Sequence, residues 1–447
     1  MMHDQQVRNA AQAAVEAAIA AGAEWADAAA SSSRSVDVSA ERNTLRESSV
    51  SYSQGVGVRA FYAGGVGMAH TDRLDIEAVR EAGRQAAELA RSASPDPDFH
   101  CLPDPQPLPD DPGTFDEKLA EMPAEQLVQW WVKALEQGQR KAEHVFIGGG
   151  AGVGAGVSAI ASSTGILASA QGTAVFMYVV ANVWDGDQAA SFVDYASARQ
   201  LADLHWEHLP EQVVERAASL VHDKPVTTGR RDLVLDFQVA YDWVRSLIGS
   251  ANAESIQRNR SFLIDKEGQR IASNVLTVVE DPLIPAGLSS AAWDGEGVPR
   301  QRRVLLDAGV LTTYLHNSYT ANKAGVAYTG HASRSGSAPH VGIAPSNLLI
   351  QPGDKSLTEL IADITDGVFV VSGAPIPNPI TGQVSSTIDA GYLIRDGEIA
   401  HPVKGAMVAG DIFDLLAAVD AVSSDFREDP GAIKPAVRLR DVMISAE

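Results

Sequence analysis

The sequence has a single cysteine, Cys101, among 447 residues and no stretch of about 18 consecutive apolar residues. One cysteine cannot form an internal disulfide, and a chain of this length can bury enough apolar surface to fold without one. The first residues also lack the basic flank and apolar stretch of a secretory signal. These features predict a cytoplasmic protein that does not insert into a membrane.

Positive charge is scarce in this chain. There are 35 Lys and Arg residues against 57 Asp and Glu residues, and the formal net charge is -22. Such a surface repels the phosphate backbone of DNA and RNA, so nucleic-acid binding is disfavoured as a main role. High negative charge also promotes solubility, and it therefore says little about which partner the protein binds.

The common catalytic signatures are missing as well. None of the eleven histidines is followed by glutamate, so the zinc-peptidase motifs HExxH and HExxxH are both absent. The serine-nucleophile motif GxSxG is also absent. Cys101 lies in a proline-rich segment, where a buried thiol presented by a helix is not expected. No residue of this chain is therefore predicted to be catalytic.

Two weaker motifs favour structural interpretations. The glycine-rich run at residues 148–160 places Gly150, Gly152 and Ala155 at the spacing of a dinucleotide-binding loop, but a β-branched, turn-rich segment follows where that motif needs a helix. His205 and His208 are three residues apart, and Pro210 follows two residues after His208. This pattern predicts an exposed pair of histidines in a loop before a helix.

The hydrophobic pattern predicts the α+β class with two domains. Helical spacing at residues 7–19 is followed by strand-like alternation at 36–40 and 56–62, and Asp72 is the expected N-cap of the next helix. Seven prolines between residues 94 and 114 exclude a helix or a central strand and predict a surface connector.

A polar break near residue 225 marks the predicted domain boundary. Residues 1–225 are expected to form an N-terminal α/β domain with an antiparallel sheet and flanking helices, which includes the connector. Residues 229–447 are expected to form a mixed, β-rich domain with few helices, two of them at 239–248 and 357–366.

A polar constellation stands out in the C-terminal half. Residues 329–334 (TGHASR), His340 and residues 345–353 (PSNLLIQPG) combine polar side chains with glycines ahead of an apolar strand. Such a segment would suit a wall that hydrogen-bonds an extended ligand. An ordinary surface loop leading into a core strand explains the same pattern, and the residues alone leave both interpretations open.

Several motifs, in this order along the chain, resemble the TldD/PmbA (TldE) family. They are GVGVR (55–59), GGVG (64–67), the helix after Asp72, DGEGVP (294–299), GVL (309–311), SNL (346–348), DGEI (396–399) and HPVKG (401–405). In that family a TldD-like subunit carries HExxxH and a later cysteine as zinc ligands. A TldE/PmbA-like subunit lacks them, and the two pair into a heterodimeric peptidase.

The resemblance places this chain on the TldE/PmbA side. With the segment IASNVLTVVEDP at residues 271–282 fixing the register, the HExxxH positions hold Val244, Arg245 and Gly249. Val244 and Gly249 cannot ligate a metal, and Arg245 would repel one. The resemblance therefore implies that this chain binds no cofactor and that zinc belongs to a TldD-like partner.

The resemblance also implies a substrate and its site. Unstructured peptides would be held extended in a cavity that both subunits close, with residues 329–347 in its wall. Arg334, Asn347, His331 and His340 are then the expected peptide-binding residues.

Two alternatives remain. The chain could form a homodimeric peptide-binding scaffold, and a homodimer is also possible for the isolated chain. It could instead be a stand-alone enzyme that modifies natural-product peptides, which would require His316, His331 or His340 within reach of one another.

Overall fold

A computed structural model describes residues 4–446. The N-terminal half is built on a six-stranded antiparallel sheet with the order β3-β2-β1-β4-β5-β6. Four of these strands are 17 to 19 residues long. The strands are β1 (Trp25–Glu41), β2 (Thr44–Tyr62), β3 (Gly65–Thr71), β4 (Val145–Ser162), β5 (Leu167–Asp185) and β6 (Gln188–Ala198).

Helices cover one face of this sheet in two groups. The helices are α1 (Asp4–Ala20), α2 (Ile76–Ser92), α3 (Glu117–Ala120), α4 (Ala124–Gln139) and α5 (Leu209–Ser219). Helices α1 and α2 pack with Ala26, Ala28 and Ala30 of β1, whereas α3, α4 and α5 pack with Val36 and Val38. All five positions are even-numbered, so they share one face of the strand, and the long strands extend under both helical groups.

The opposite face of the sheet carries small polar residues. Ser31 and Ser33 of β1 pair in register with Ser158 and Gly156 of β4. Short polar side chains do not form a hydrophobic layer. They project only a short distance from the sheet and make this face polar. This face, called here the small-residue face, is turned toward the C-terminal half.

Two glycines of β2 let a C-terminal loop lie directly on the sheet. A Cβ atom on Gly57 would lie 2.1 Å from the carbonyl oxygen of Ser337 and 2.6 Å from the nitrogen of Pro339. A Cβ on Gly55 would lie 2.8 Å from Ser337 Oγ. Only glycine leaves this space free, so the glycines of the GVGV motif allow residues 335–340 to pack directly on β2.

The C-terminal half contains a twelve-stranded sheet. Its main path is β10-β9-β8-β13-β20-β7-β14-β16-β17, with β19 and β18 paired to β20 and β15 paired to β18. The pairs β7–β14 and β13–β20 are parallel. The strands are β7 (Gly229–Leu235), β8 (Val278–Glu280), β9 (Arg303–Asp307), β10 (Val310–Leu311), β13 (Leu348–Ile350), β14 (Asp366–Ser372), β15 (Gln383–Ile388), β16 (Ala390–Arg395), β17 (Glu398–Val403), β18 (Ala406–Asp411), β19 (Val419–Asp429) and β20 (Ala432–Ser445), and a separate pair is β11 (Ala332–Ser333) and β12 (Gly342–Ile343).

Short helices accompany this second sheet. They are α6 (Phe237–Gly249), α7 (Ala253–Gln257), α8 (Ser318–Ala324), α9 (Leu357–Ala362) and α10 (Ile412–Ala417). Helix α6 begins after Asp236, whose carboxylate accepts the N–H of Phe237. It places Trp243 and Leu247 in the core, each 1% exposed. The apolar spacing of residues 239–248 had predicted this helix.

The predicted fold class is confirmed, with an antiparallel N-terminal sheet flanked by helices and a β-rich C-terminal half. The expected N-cap Asp72 is wrong, because α2 begins at Ile76 and Asp75 accepts the N–H of Ala78. The predicted helix at 357–366 is too long, because the chain enters β14 at Asp366 and pairs there with β7 and β16.

The remaining local expectations concern irregular and polar segments. The glycine run at residues 148–160 is part of β4 and pairs along its length with β5, so it forms a strand and not a phosphate-binding loop. The proline-rich connector contains no helix or strand, and His205 and His208 are exposed. No helix within residues 4–446 is long and apolar enough to cross a membrane.

Candidate functional site: a cavity between the two halves

A cavity of about 740 Å³ lies between the small-residue face and the C-terminal half. Strands β1, β4 and β5 form one wall. The opposite wall is formed by residues 290–295, by Arg300 and by residues 332–334 and 336, and the connector closes one side with residues 108–109, 111–112 and 114. The connector is fixed to both halves, because the carbonyl of Pro112 accepts the N–H of Ala286 and that of Thr114 accepts the N–H of Thr173. We call this space the interdomain cavity.

A buried ion cluster joins the two halves beside this cavity. Arg59 of β2 donates Nε to Asp27 Oδ1 at 3.1 Å and Nη2 to Glu296 Oε1 at 2.8 Å. Arg334 Nη2 lies 2.7 Å from Asp27 Oδ2, and its Nε donates to the carbonyl of Gly295 at 2.7 Å. All four charged side chains are at least 91% buried, since the most exposed of them, Arg59, is 9% exposed.

The charges of this ion cluster stabilise one another. Burial alone would raise the pKa of Asp27, but the positive charges of Arg334 and Arg59 outweigh it and hold that pKa at about 2. Burial opposes the charge of Arg59, but Asp27 and Glu296 raise its pKa above the ordinary value. Glu296 also accepts hydrogen bonds from the N–H and hydroxyl of Ser318, at 2.7 and 2.8 Å. The cluster therefore joins the two halves through ion pairs, although the Nη1 atom of Arg334 has no hydrogen-bond partner within the described chain.

Asp294 organises the wall segment that carries Glu296. Its Oδ1 accepts the N–H groups of Glu296 and Val298, and its Oδ2 accepts the N–H of Ala332 at 3.0 Å. Burial, with a smaller contribution from the charge of Glu296, raises the pKa of Asp294 to about 7. This carboxyl group therefore brings less negative charge to the cavity at neutral pH than an ordinary aspartate would.

The structure separates the four predicted peptide-binding residues. Arg334 lines the interdomain cavity. Asn347 is 3% exposed, and its side chain bonds within its own half to the carbonyl of Asp281, the hydroxyl of Ser290 and the N–H of Ser289. Only Ser290 of these partners reaches the cavity wall, so Asn347 braces that wall from behind.

The two predicted histidines lie in different environments. His331 is 2% exposed, with Nε2 at 2.6 Å from Glu280 Oε2 and Nδ1 at 2.8 Å from Thr329 Oγ1. His340 is exposed at the end of the loop that rests on β2. The same threonine hydroxyl bonds the backbone of His316, a buried residue whose pKa burial lowers to about 4. His316 and His331 are thus neighbours inside the protein, apart from the surface residue His340.

Helix α6 contains Val244, Arg245 and Gly249, which the resemblance to the TldD pattern predicted to stand at the zinc-motif positions. Val244 is 1% exposed and belongs to the hydrophobic core. Arg245 and Gly249, four residues apart, occupy the exposed side of the helix. A hydrocarbon side chain, a guanidinium cation and a hydrogen atom offer no donor to a metal ion, so zinc does not fit this set. Within residues 4–446 no group of three or more His, Cys, Asp and Glu side chains is placed to hold a metal.

The first half of α6 borders a second cavity of about 790 Å³, with Gln238 and Asp242 in its lining. Beside it the buried Lys434 donates to Tyr195 Oη and Gln238 Oε1, both at 2.8 Å, and also to Asp429. These bonds also join the two halves, because Tyr195 lies in β6. The three motif positions do not contribute to the lining of this cavity.

Sequence reasoning missed the ion cluster and Arg300. Arg59 and Glu296 stand inside the motifs GVGVR and DGEGVP, and Asp27 interrupts the apolar run WADAAA. A charged residue within an otherwise buried stretch is the available signal, because such a charge needs a partner. The partner itself is invisible in the sequence, since 237 residues separate Arg59 from Glu296.

Three protein-family models match the chain in order. They are PmbA/TldA metallopeptidase domain 1 over residues 26–90, the PmbA/TldA metallopeptidase central domain over residues 117–221 and the PmbA/TldA metallopeptidase C-terminal domain over residues 228–446. The interdomain cavity described above is therefore built by segments from all three matched regions and by the connector.

Similar proteins agree with these matches. A metalloprotease of Methanothermobacter thermautotrophicus is 37% identical over 225 residues, which is 49% of this chain and 49% of that protein, so the match spans about half of that relative. Metalloprotease PmbA of Escherichia coli O157:H7 is 26% identical over 411 residues, 90% of this chain and 87% of that protein.

Among solved structures, the crystal structure of TldE from Thermococcus kodakarensis superposes with a TM-score of 0.88 at 25% identity, covering 96% of this chain and 98% of that chain. The order of the matched domains, the relatives and this shared fold together show that the chain belongs to the PmbA/TldD family.

Proposed function

We propose that this chain is the zinc-free, TldE/PmbA-type subunit of a heterodimeric peptidase of the cytoplasm. The observation that carries this proposal is the state of α6. The helix is present and packed. By the register that the family resemblance gives, its residues Val244, Arg245 and Gly249 stand where a TldD-like subunit has its zinc motif. A TldD-like partner would supply the zinc, and this chain would complete the cavity that holds an unstructured peptide.

The interdomain cavity supports the peptide-binding part of this proposal. Its volume of about 740 Å³ is within the range of small-ligand sites, roughly 300–1,000 Å³, and is enough for a few residues of extended chain. Ser31, Ser33, Gly154 and Gly156 give one wall without large side chains. A wall of this kind leaves room for different peptide side chains, so binding through peptide backbone groups would tolerate many sequences.

The test is to reconstitute cleavage. The chain alone is expected to leave an unstructured peptide intact, and a mixture with the TldD-like subunit of the same host is expected to cleave it. The variant Gly154→Phe should reduce cleavage by the mixture at least tenfold, because a Cβ on Gly154 meets no atom within 4 Å and the ring would occupy the cavity.

Gly410→Phe is the matched control. Gly410 lies in β18, and a Cβ there has only one neighbour, at 4.0 Å. It does not line the interdomain cavity, so the mixture containing this variant should cleave at the wild-type rate. Equal rates for both variants would contradict the role of the cavity, and cleavage by the chain alone would contradict the proposed division of labour.

A second candidate function is a homodimeric peptide-binding scaffold. One observation favours an association surface: β3 pairs with β2 only from Val56 onward, so residues 44–55 form a sheet edge that pairs with no further strand within the described chain. Tyr52 on this edge is 77% exposed. Such an edge can add a strand from another chain. Size-exclusion chromatography after mixing separates the candidates, because the scaffold predicts only homodimers and no mixed complex.

A further inference from the structure

The charges that line the interdomain cavity are unlike those of the whole protein. The net charge of the chain is -22, but the charged residues in this lining are four arginines and two aspartates. The arginines are Arg34, Arg199, Arg300 and Arg334, and the aspartates are Asp111 and Asp294. A positively charged cavity in an acidic protein would attract a negatively charged group from a ligand.

Three of the four arginines are occupied by the protein itself. Arg34 donates to the carbonyls of Ala120 and Met122 at 3.4 and 3.2 Å. Arg199 donates to the carbonyls of Leu288 and Thr173, at 2.5 to 3.2 Å. Arg334 donates Nε to the carbonyl of Gly295 and forms an ion pair with Asp27, although its Nη1 and Nη2 atoms make no hydrogen bond within the described chain.

Arg300 differs from these three residues. Its Nε atom is buried and has no hydrogen-bond partner within the described chain. The negative charges of Asp294 and Glu280 act on Arg300, but both carboxylates have other hydrogen-bond partners. Asp294 accepts three backbone N–H groups, and Glu280 pairs with His331 and accepts the N–H of Ser346.

The backbone around Arg300 fixes this arrangement. The N–H of Arg300 donates to the carbonyl of Ala292, which itself lines the cavity. Gly330 adopts a φ of +77°, and a Cβ there would lie 3.0 Å from the carbonyl of Pro299 and 3.4 Å from the Cα of Arg300. Gly330 therefore packs closely against the backbone at Pro299 and Arg300, which fixes where the Arg300 side chain begins.

We propose that Arg300 binds a carboxylate of the peptide in the interdomain cavity, either an acidic side chain or the C-terminal carboxylate. A guanidinium group presents paired donors that match the two oxygens of a carboxylate. A partly buried donor without an acceptor is unfavourable, and a ligand carboxylate would remove that penalty. The inference rests on the proposed peptide-binding function and adds a preference for acidic peptides to it.

Fluorescence anisotropy on the full-length chain tests this proposal with four labelled alanine-rich hexapeptides. One has an amidated C-terminus and no charge, a second adds one glutamate, a third replaces the amide by a free carboxylate, and a fourth adds one lysine. We expect at least one carboxylate peptide to bind on the order of tenfold more tightly than the uncharged peptide, the increment of one charge-assisted hydrogen bond. The preferred peptide distinguishes a side-chain carboxylate from a terminal one.

The variant Arg300→Met should lose this preference while its affinity for the uncharged peptide changes less than twofold. Arg300→Lys should keep part of the preference, since the charge remains but the paired donors do not. Arg302→Met is the matched control. It removes the same charge two residues further along the chain, and the Arg302 side chain is 60% exposed. This variant should bind all four peptides like the wild type.

Two outcomes would overturn the proposal: equal affinity of the wild type for all four peptides, or a carboxylate preference that persists in Arg300→Met. The cleavage assay is read separately. If the mixture with the TldD-like subunit cleaves the uncharged peptide but the chain shows no carboxylate preference, the inference about Arg300 fails and the proposed function stands. If no peptide is cleaved, the proposed function fails, whatever the binding assay shows.

Discussion

The arginines at the boundary between the two halves of the molecule differ in whether a carboxylate of the protein pairs with them. Arg59 and Arg334 are buried and face the carboxylates of Asp27 and Glu296. Arg300 is half-buried at the same boundary, and its Nε has no partner within the described chain. The charges of Arg59 and Arg334 are paired with carboxylates of the protein and specify how the halves meet, whereas Arg300 has capacity left for a charged group from outside.

The comparison makes opposite predictions for stability. Removing one member of a buried ion pair leaves its partner charged and unsolvated, which destabilises proteins by about 3–5 kcal/mol. Removing a buried charge that has no partner relieves desolvation and leaves nothing stranded. Substitutions of Arg59 and of Arg300 are therefore expected to differ in their effect on the free energy of unfolding.

The largest effect is expected for Arg59→Met. This change leaves Asp27 and Glu296 buried without their shared cation, and the free energy of unfolding should fall by about 3–5 kcal/mol. Chemical denaturation followed by circular dichroism measures it. The double variant with Asp27→Asn should lose less than the two single variants added together, because one stranded charge is gone. If the losses in the free energy of unfolding of the two single variants added fully in the double variant, Arg59 and Asp27 would not be an energetically coupled ion pair.

Gly57→Val should come next, with a loss of about 3 kcal/mol, the upper end for overpacking. The new Cβ would overlap the backbone of the loop that brings Arg334 to Asp27, and a backbone carbonyl cannot rotate away. Gly154→Ala is the matched control, because its Cβ meets no atom within 4 Å. A melting temperature that falls equally in both variants would show that the loss comes from the strand alone.

A smaller effect, of about 2 kcal/mol, is expected from His316 between pH 7 and pH 5. Burial lowers its pKa from 6.5 to about 4, so the unfolded chain binds the proton more tightly than the folded chain does. Stability is then complete above pH 6.5 and decreases as the pH falls toward 4. His316→Gln should lack this part of the pH dependence. Denaturation curves at pH 7 and pH 5 measure this change. If the free energy of unfolding fell by the same amount in the variant as in the wild type, His316 would not be its source.

The smallest effect on stability is expected for Arg300→Met, a loss of less than about 0.5 kcal/mol in the absence of peptide. The reason is that the charge of Arg300 acts mainly on Asp294, whose carboxyl group burial already makes less charged at neutral pH. Thermal unfolding beside Arg302→Met checks this. A loss as large as that of Arg59→Met would mean that Arg300 belongs with the paired group and would remove the contrast between the two.

The sequence predicted those features that depend on neighbouring residues. The apolar spacing of residues 239–248 predicted α6, and the prolines of residues 94–114 predicted an irregular connector. The length of β1 and β2 escaped prediction, because Ser, Gly and Ala dominate parts of both and have weak strand propensity. There the backbone pairing between strands, 17 residue pairs in β1–β2, decides the structure.

The candidate site was predictable only in part. The segment containing Arg334 was recognised, but Asn347 and His331 proved to be buried, and each is held by partners 51 to 66 residues away in the chain. Whether a polar side chain in a loop faces a cavity or the interior depends on these distant partners. They cannot be inferred from the residues that neighbour it in the sequence. The register that placed Val244, Arg245 and Gly249 on one helix depended on family resemblance, and the side of the helix each occupies depended on the fold.

Whether this chain is the zinc-free subunit is tested by the metal content of the purified chain, of a TldD-like subunit and of their isolated mixed complex. The account predicts no stoichiometric zinc in this chain alone and one zinc per pair of unlike chains in the complex, unchanged by Arg245→Ala. One tightly bound zinc per copy of this chain, or the absence of any mixed complex, would contradict it.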